Sequence, residues 1–260
     1  MVAATENVVI QESPAHGVVR LVLNRPDHFN ALSSEMLSRL DQALTVASAT
    51  PGCRVIVLAA NGKAFCAGHD LREMNNHPNQ DFYSKLFKQC SKLMIRIQTL
   101  PQPVIAEVQG LATAAGCQLV SMCDLAIAAK SAQFAVSGIN HGLFCSTPSV
   151  GLSRNIHRKQ AFEMLLTGDF IDSETAVQRG LINQAVPDDA LGERVLDLCF
   201  KITAKPEPAV RMGKNLFYQQ LEMGIQAAYQ LAGQTMACNM MDDTAQEGFQ
   251  AFIEKRKPNW

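Results

Sequence analysis

Two glycine-containing segments offer the plainest means of doing chemistry in this chain. Lys63 to Leu71 reads KAFCAGHDL, and Val108 to Leu119 reads VQGLATAAGCQL. In each, an apolar stretch runs into small residues that open what looks like a helix, and the first amides of a helix have no partner inside it. Such a turn brings backbone N–H groups up to an acceptor on a ligand. Ala115 and Gly116 are small enough to let a flat substrate approach that backbone. Other chemistries lack their residues. There is no GxGxxG after a strand, no GxxxxGK[ST] phosphate loop, no GxSxG elbow and no HExxH zinc pair. The histidines at 16, 28 and 77 fall in polar turns and read as solvated. The eight cysteines show no two-residue gap, so they read as reduced, buried small hydrophobes rather than as metal or redox ligands.

The elements that must position these turns follow an alternating pattern. Val18 to Leu23 and Arg54 to Ala60 are buried-strand runs. Between them Met36, Leu37, Leu40, Ala43, Leu44 and Ala47 recur at helical spacing behind Ser33 and Ser34, either of which can cap the helix. A second helix is expected from Gln80 to Leu100, stopped by Pro101 and Pro103, and it leads into a strand at Val104 to Val108. Ala112 to Cys123 is expected to be helical and Leu125 to Ala129 a strand. The class is therefore α/β. After about Asn155 the pattern is read as helical throughout, with apolar residues on more than one face, as at Leu216, Phe217, Tyr218 and Leu221. Excess apolar surface of that kind points to subunit contacts.

Composition narrows the partners. The 260 residues carry 23 Lys and Arg against 24 Asp and Glu, which leaves no basic footprint for nucleic acid. No apolar run is long enough to span a membrane. The N-terminal MVAATENVVIQESP has neither the basic nor the apolar region of a secretory signal. A cytoplasmic location is expected, or the mitochondrial matrix after removal of a transit peptide not present here. From Pro101 to Gly151 only Glu107, Asp124 and Lys130 are charged, which marks deep core or the wall of an apolar pocket.

Six ordered blocks carry a resemblance: NRPDHFNAL, KAFCAGHDL, PVIAEVQGLATAAGCQL, CDLAIAAKSAQFA, LLTGDFIDSETAVQRGLIN and the ending AFIEKRKPNW. Together they resemble the enoyl-CoA hydratase/isomerase, or crotonase, family over nearly the whole chain. The resemblance implies a spiral of repeated ββα units over residues 1–200. It also implies a helical trimerisation segment over 201–260, and a homotrimer or a hexamer made as a dimer of trimers. It implies an acyl-CoA thioester as substrate, with coenzyme A part of that substrate and no separate cofactor or metal. The thioester carbonyl would be polarised by the main-chain amides of His69 and Ala115. Ala31, Lys63, Ala67, Gly68, Asp70, Leu71 and Gly116 fall at positions that surround the coenzyme A portion, as do Phe252 and Lys255 from the C-terminal end.

The departures from the family pattern bear on the reaction. Gln118 and Gly138 stand where hydratases of the family place two glutamates that activate water and deliver the α-proton. An amide does not exchange protons near neutral pH and glycine has no side chain, so the acid/base pair is missing. Glutamates restored at both positions are expected to raise hydration. The neighbouring loop, Ser137 to Pro148, has no carboxylate and offers His141, Cys145, Ser146 and Thr147. His141 is a candidate base because an unperturbed histidine titrates near neutrality. Cys145 has no basic sequence neighbour to favour its thiolate. Asp70 and Asp124 match structural positions. Three readings stay open: a hydratase-type enzyme with weak or altered hydration, another CoA-thioester reaction (isomerase, hydrolase or decarboxylase), and a non-catalytic acyl-CoA binder.

Overall fold

The inner strands of the main sheet are covered on both faces, which is why their sequence runs are apolar almost without interruption, while its exposed first strand, Val9–Ala15, is not. The computed structural model describes residues 7–260, so the first six positions of the N-terminal stretch read above lie outside the described residues. The chain opens with strands β1 (Val9–Ala15) and β2 (Val18–Leu23), then helix α1 (Ser34–Ala49). Of the two candidate caps it is Ser33 that accepts from the Met36 amide, at 3.1 Å. Next come β3 (Val55–Ala60), β4 (Ala64–Cys66), α2 (Leu71–Asn76) and α3 (Gln80–Thr99), the last capped by Asn79.

The pattern then repeats with β5 (Val104–Val108), β6 (Leu111–Thr113) and α4 (Ala115–Met122), followed by β7 (Leu125–Ala129), β8 (Gln133–Ala135) and α5 (Ser146–Asn155). The helix expected from Ala112 therefore starts three residues later. Ala112 and Thr113 pair with Phe134 and Ala135 instead, because the chain must extend a second sheet before it turns. The remaining elements are α6 (Arg158–Thr167), β9 (Ile171–Asp172), α7 (Ser173–Arg179), β10 (Gln184–Val186), α8 (Leu191–Thr203), α9 (Glu207–Leu221), α10 (Ile225–Met240) and α11 (Asp243–Ile253). The region after Asn155 is thus not helical throughout: β9 completes one sheet and β10 the other.

The two sheets explain the spiral. One has the order β1-β2-β3-β5-β7-β10 and the other β4-β6-β8-β9. Each successive repeat gives its first strand to the large sheet and its second to the small one, in parallel pairs such as Ile56 beside Val104 and Ala112 beside Phe134. Alternate residues of the large sheet face different layers. Val55, Val57, Ile105 and Ile127 pack with Leu191, Val195 and Cys199 of α8, while Ile56, Leu58, Val104 and Ala106 pack with the helices on the other side. The α8 helix runs through residue 200, so the change to the outer helical layer comes after it, at Pro206.

That layer is joined to the core by one buried cluster. The Asp124 carboxylate accepts from the Val104 amide at 2.6 Å, from Lys214 Nζ at 2.6 Å and from the Tyr218 hydroxyl at 2.7 Å. Lys214 also donates to the carbonyls of Ile97 and Gln102, at 2.9 Å each. Burial pushes the carboxyl up and the ammonium down, while their contact opposes both shifts. Apart from this anchor, α9 buries no residue in the chain, and Phe217, Leu221, Tyr229, Met236, Phe249 and Phe252 are exposed. Among the described residues no helix is long and apolar enough to cross a membrane.

Candidate active site

The two turns singled out in the sequence are held against each other by the pairing of β4 with β6. Two glycines permit the contact. Gly68 has φ +93°, and a Cβ there would stand 2.9 Å from Ala114 Cβ and 3.3 Å from the Ala115 nitrogen. Gly116 meets the Cys66 carbonyl so closely that a Cβ would lie 2.0 Å from its oxygen. Gly116 thus serves the joint between the turns, and it is absent from the cavity lining. The earlier reading that its small size admits a substrate gives way to this packing requirement.

Backbone geometry then aims two amides. The Gly68 carbonyl accepts from the Leu32 amide at 2.7 Å, and a planar trans peptide points the His69 N–H the opposite way. The Ala114 carbonyl accepts from Gln118 at 3.1 Å, which likewise turns the Ala115 N–H out of the first turn of α4. Neither amide has an acceptor among the described residues. Ala114 holds φ 51° and ψ −121°, a conformation disfavoured for any side chain, and its amide is tied to the Ala135 carbonyl at 3.0 Å. The strain sits one residue before the amide it aims.

The partner segment of the first turn is locked from below. Phe29 and Asn30 take left-handed φ values of 51° and 53°. The fully buried Asn30 accepts from the Arg25 amide and donates to the Asn61 and Ala64 carbonyls, all at 2.8 Å. This lock fixes Leu32 against His69 and is what the NRPDHFNAL block accomplishes. Asp70 caps α2 through the Arg72 and Glu73 amides and lies 3.6 Å from Arg25, so its carboxylate is engaged structurally.

Around the two amides lies a cavity of about 360 Å³. Ala67, His69, Leu71, Met74 and Phe87 line one side, and Thr113, Ala114 and Ala115 another. The segment from Ser137 to Pro148 closes it with Gly138, His141, Leu143, Phe144, Cys145, Ser146 and Thr147. Among the described residues no carboxylate lines it. Its polar groups are the two imidazoles and the hydroxyls, among them Thr113 and Ser137 with oxygens 2.8 Å apart. Met74, Phe87, Thr113 and Phe144 were not singled out in the sequence. Phe87 could have been, since it sits beside the buried stripe of α3.

Several expected residues lie elsewhere. Gln118 is 4% exposed, does not line the cavity, and its Oε1 is buried without a partner. Ala31 is buried outside the lining, and Lys63 is exposed before β4. Phe252 lines a separate apolar depression with Phe249 and Trp260, and Lys255 lies exposed just beyond α11, so the single chain does not bring either to the cavity. Gly138 lines the cavity yet has no room to grow, because a Cβ would stand 2.6 Å from the Leu143 oxygen and 2.8 Å from Cys145 Sγ. The expectation that glutamate fits there fails on that contact. Burial raises the Cys145 thiol, and raises the Cys66 and Cys117 thiols to about 12, so these cysteines are not poised as thiolates.

A sequence profile of the enoyl-CoA hydratase/isomerase family matches residues 13–260. The chain belongs to the enoyl-CoA hydratase/isomerase family. It is 43% identical over 256 residues to enoyl-CoA hydratase domain-containing protein 3, mitochondrial, of Xenopus laevis, covering 98% of this chain and 86% of that one. The crystal structure of an enoyl-CoA hydratase from Mycobacterium smegmatis superposes with a TM-score of 0.95 at 56% identity, covering 97% of this chain and 98% of the other. Human enoyl coenzyme A hydratase domain-containing protein 3 superposes at 0.94 with 41% identity, covering 97% and 100%. The crotonase-type α/β spiral expected from the sequence is the fold observed.

Proposed function

We propose that this member of the enoyl-CoA hydratase/isomerase family binds acyl-CoA thioesters and polarises their carbonyl through the amides of His69 and Ala115. The observation that carries the reading is the pair of outward amides without acceptors, on two residues that line one apolar cavity. A thioester that loses an α-proton gathers charge on a single oxygen, and preorganised donors stabilise that charge before it develops. Removal of one such donor typically costs about 10²–10³ in rate. The apolar remainder of the cavity suits an acyl chain. Ala67, Gly68 and Leu71 lie at the start of the path for the coenzyme A portion. Phe252 and Lys255 would join it from a neighbouring copy in a homotrimer or hexamer.

Classical hydration needs a base for water and an acid for the α-carbon. The cavity lining supplies neither as a carboxylate, which favours weak hydration, another thioester reaction or simple acyl-CoA binding. Calorimetry with acetoacetyl-CoA, an enolisable thioester, tests the reading. Saturable binding at micromolar ligand is expected, and no binding at millimolar ligand contradicts it. The cytoplasm or the mitochondrial matrix is the compartment this reading assumes, and the Xenopus laevis relative is named as mitochondrial.

A further inference from the structure

The cavity wall holds a pair of hydroxyls that carbonyl polarisation leaves unused. Thr113 ends strand β6, and Ser137 follows two residues after Ala135, its partner across the pairing of β6 with β8. Their side chains meet with Oγ1 and Oγ 2.8 Å apart, both residues line the cavity, and among the described residues neither hydroxyl has another partner. Each hydroxyl carries one proton to donate. One of the two protons makes the bond between them. The other is left over, whichever hydroxyl donates, and it has no acceptor among the described residues. Thr113 is only 7% exposed and Ser137 is half-buried. A donor so enclosed is costly to leave unpaired, and it marks the place of an acceptor. Ser146, another hydroxyl of the lining, is by contrast exposed and donates to the Phe144 carbonyl at 3.3 Å.

We infer that Thr113 and Ser137 select acyl thioesters with an acceptor oxygen on carbon 3, as in a 3-oxoacyl group, by donating the leftover hydroxyl proton to that oxygen. The inference rests on the thioester reading above, since it takes the thioester oxygen to lie on the His69 and Ala115 amides. Two residues of chain, a span of at most about 7 Å, separate Thr113 from Ala115. The hydroxyl pair therefore faces the first carbons of the acyl group and not the far end of a long chain. An oxygen on carbon 2 lies against the thioester oxygen and competes for the same amides. Carbon 3 is the first whose oxygen stands clear of them. An unsubstituted acyl group offers the proton only a methylene, which cannot accept, and it displaces the water that could. The hydroxyls keep their protons throughout, so their role is recognition, and the bond between them holds the donating one in direction.

Calorimetry with acetoacetyl-CoA and butyryl-CoA, which differ only at carbon 3, reads the selection as the ratio of their affinities. Wild-type protein is expected to bind acetoacetyl-CoA more tightly. The double variant Thr113→Val with Ser137→Ala removes both protons, and exchanging a bonded pair for apolar groups of similar shape is nearly neutral for folding. Its preference for acetoacetyl-CoA should fall by about 3- to 10-fold, the range of one neutral hydrogen bond. Thr113→Ser keeps both hydroxyls and should keep the preference. Acetoacetyl-CoA also gains affinity if it binds the amides as an enolate, but that gain survives in the double variant. A preference unchanged in the double variant therefore overturns the inference, whether it arises at the amides or water alone occupies the pair. A loss in Thr113→Ser as large as in the double variant overturns it too, since packing would then be the cause. Wild-type protein that binds butyryl-CoA at least as tightly overturns it without any variant. Failure to bind either thioester instead overturns the carbonyl-polarising reading, so the two failures are told apart.

Discussion

Ala114 pays for the aim of the neighbouring amide with its own backbone. A non-glycine residue in such a region costs on the order of 1–3 kcal/mol, and a glycine recovers that at about 0.4–1 kcal/mol of added unfolded-state entropy. Ala114→Gly is therefore expected to stabilise the protein by about 1 kcal/mol, seen as a higher urea midpoint at unchanged slope. A lower midpoint would show that Ala114 is unstrained. His69 gives a pH signature. Burial puts its folded pKa below the ordinary 6.5, so below that pH the unfolded chain takes up a proton that the folded chain refuses. This contribution is complete above pH 6.5 and is lost as pH falls from there through the folded pKa. Urea midpoints at about pH 7.5 and pH 5.5 should differ more in wild-type protein than in His69→Gln. The two strand-to-helix turns were legible in the sequence from their small residues, whereas His69 and Ala115 were picked out within them by the family resemblance. The buried, unpartnered Nε2 of His69 was not legible, since it depends on a carbonyl 37 positions away in the chain.

At the scale of elements, the buried anchor is what ties the outer helices to the sheets. Lys214→Met would leave the Asp124 carboxylate buried beside an apolar group, and breaking one side of such a pair costs about 3–5 kcal/mol. A fall of that size in unfolding free energy is expected by denaturant titration, and a change below 1 kcal/mol would show that water or Tyr218 compensates. The long helices and the strands of the large sheet were legible from their periods, as Leu86, Cys90, Leu93, Met94 and Ile97 illustrate on α3. The short strands β4, β6 and β8 were not, because three residues do not establish a period of two. For that reason the start of α4 was placed on Ala112, and the second sheet went unread. Ser146–Asn155, a helix with Pro148 in its first turn, hid in what looked like loop composition.

The whole molecule leaves a large apolar surface uncovered, concentrated on α9, α10 and α11. A lone chain with that surface would associate, so light scattering is expected to give three or six times the 28.4 kDa chain mass, and a monomer at micromolar concentration contradicts the assembly. The α/β class was legible at this scale, but the sharing of each repeat between two sheets required the pairing itself. That sharing presses the β4 and β6 turns together and makes one cavity out of two ordinary strand-to-helix turns. What matters for chemistry is what those turns do to a bound carbonyl. The direct measurement is the difference infrared spectrum of a thioester carrying a ¹³C label in its carbonyl. Bound to this protein, the labelled stretch should move to lower frequency than in water, as two convergent N–H donors withdraw electron density from it. A bound thioester whose carbonyl band stays at its solution frequency would contradict the account.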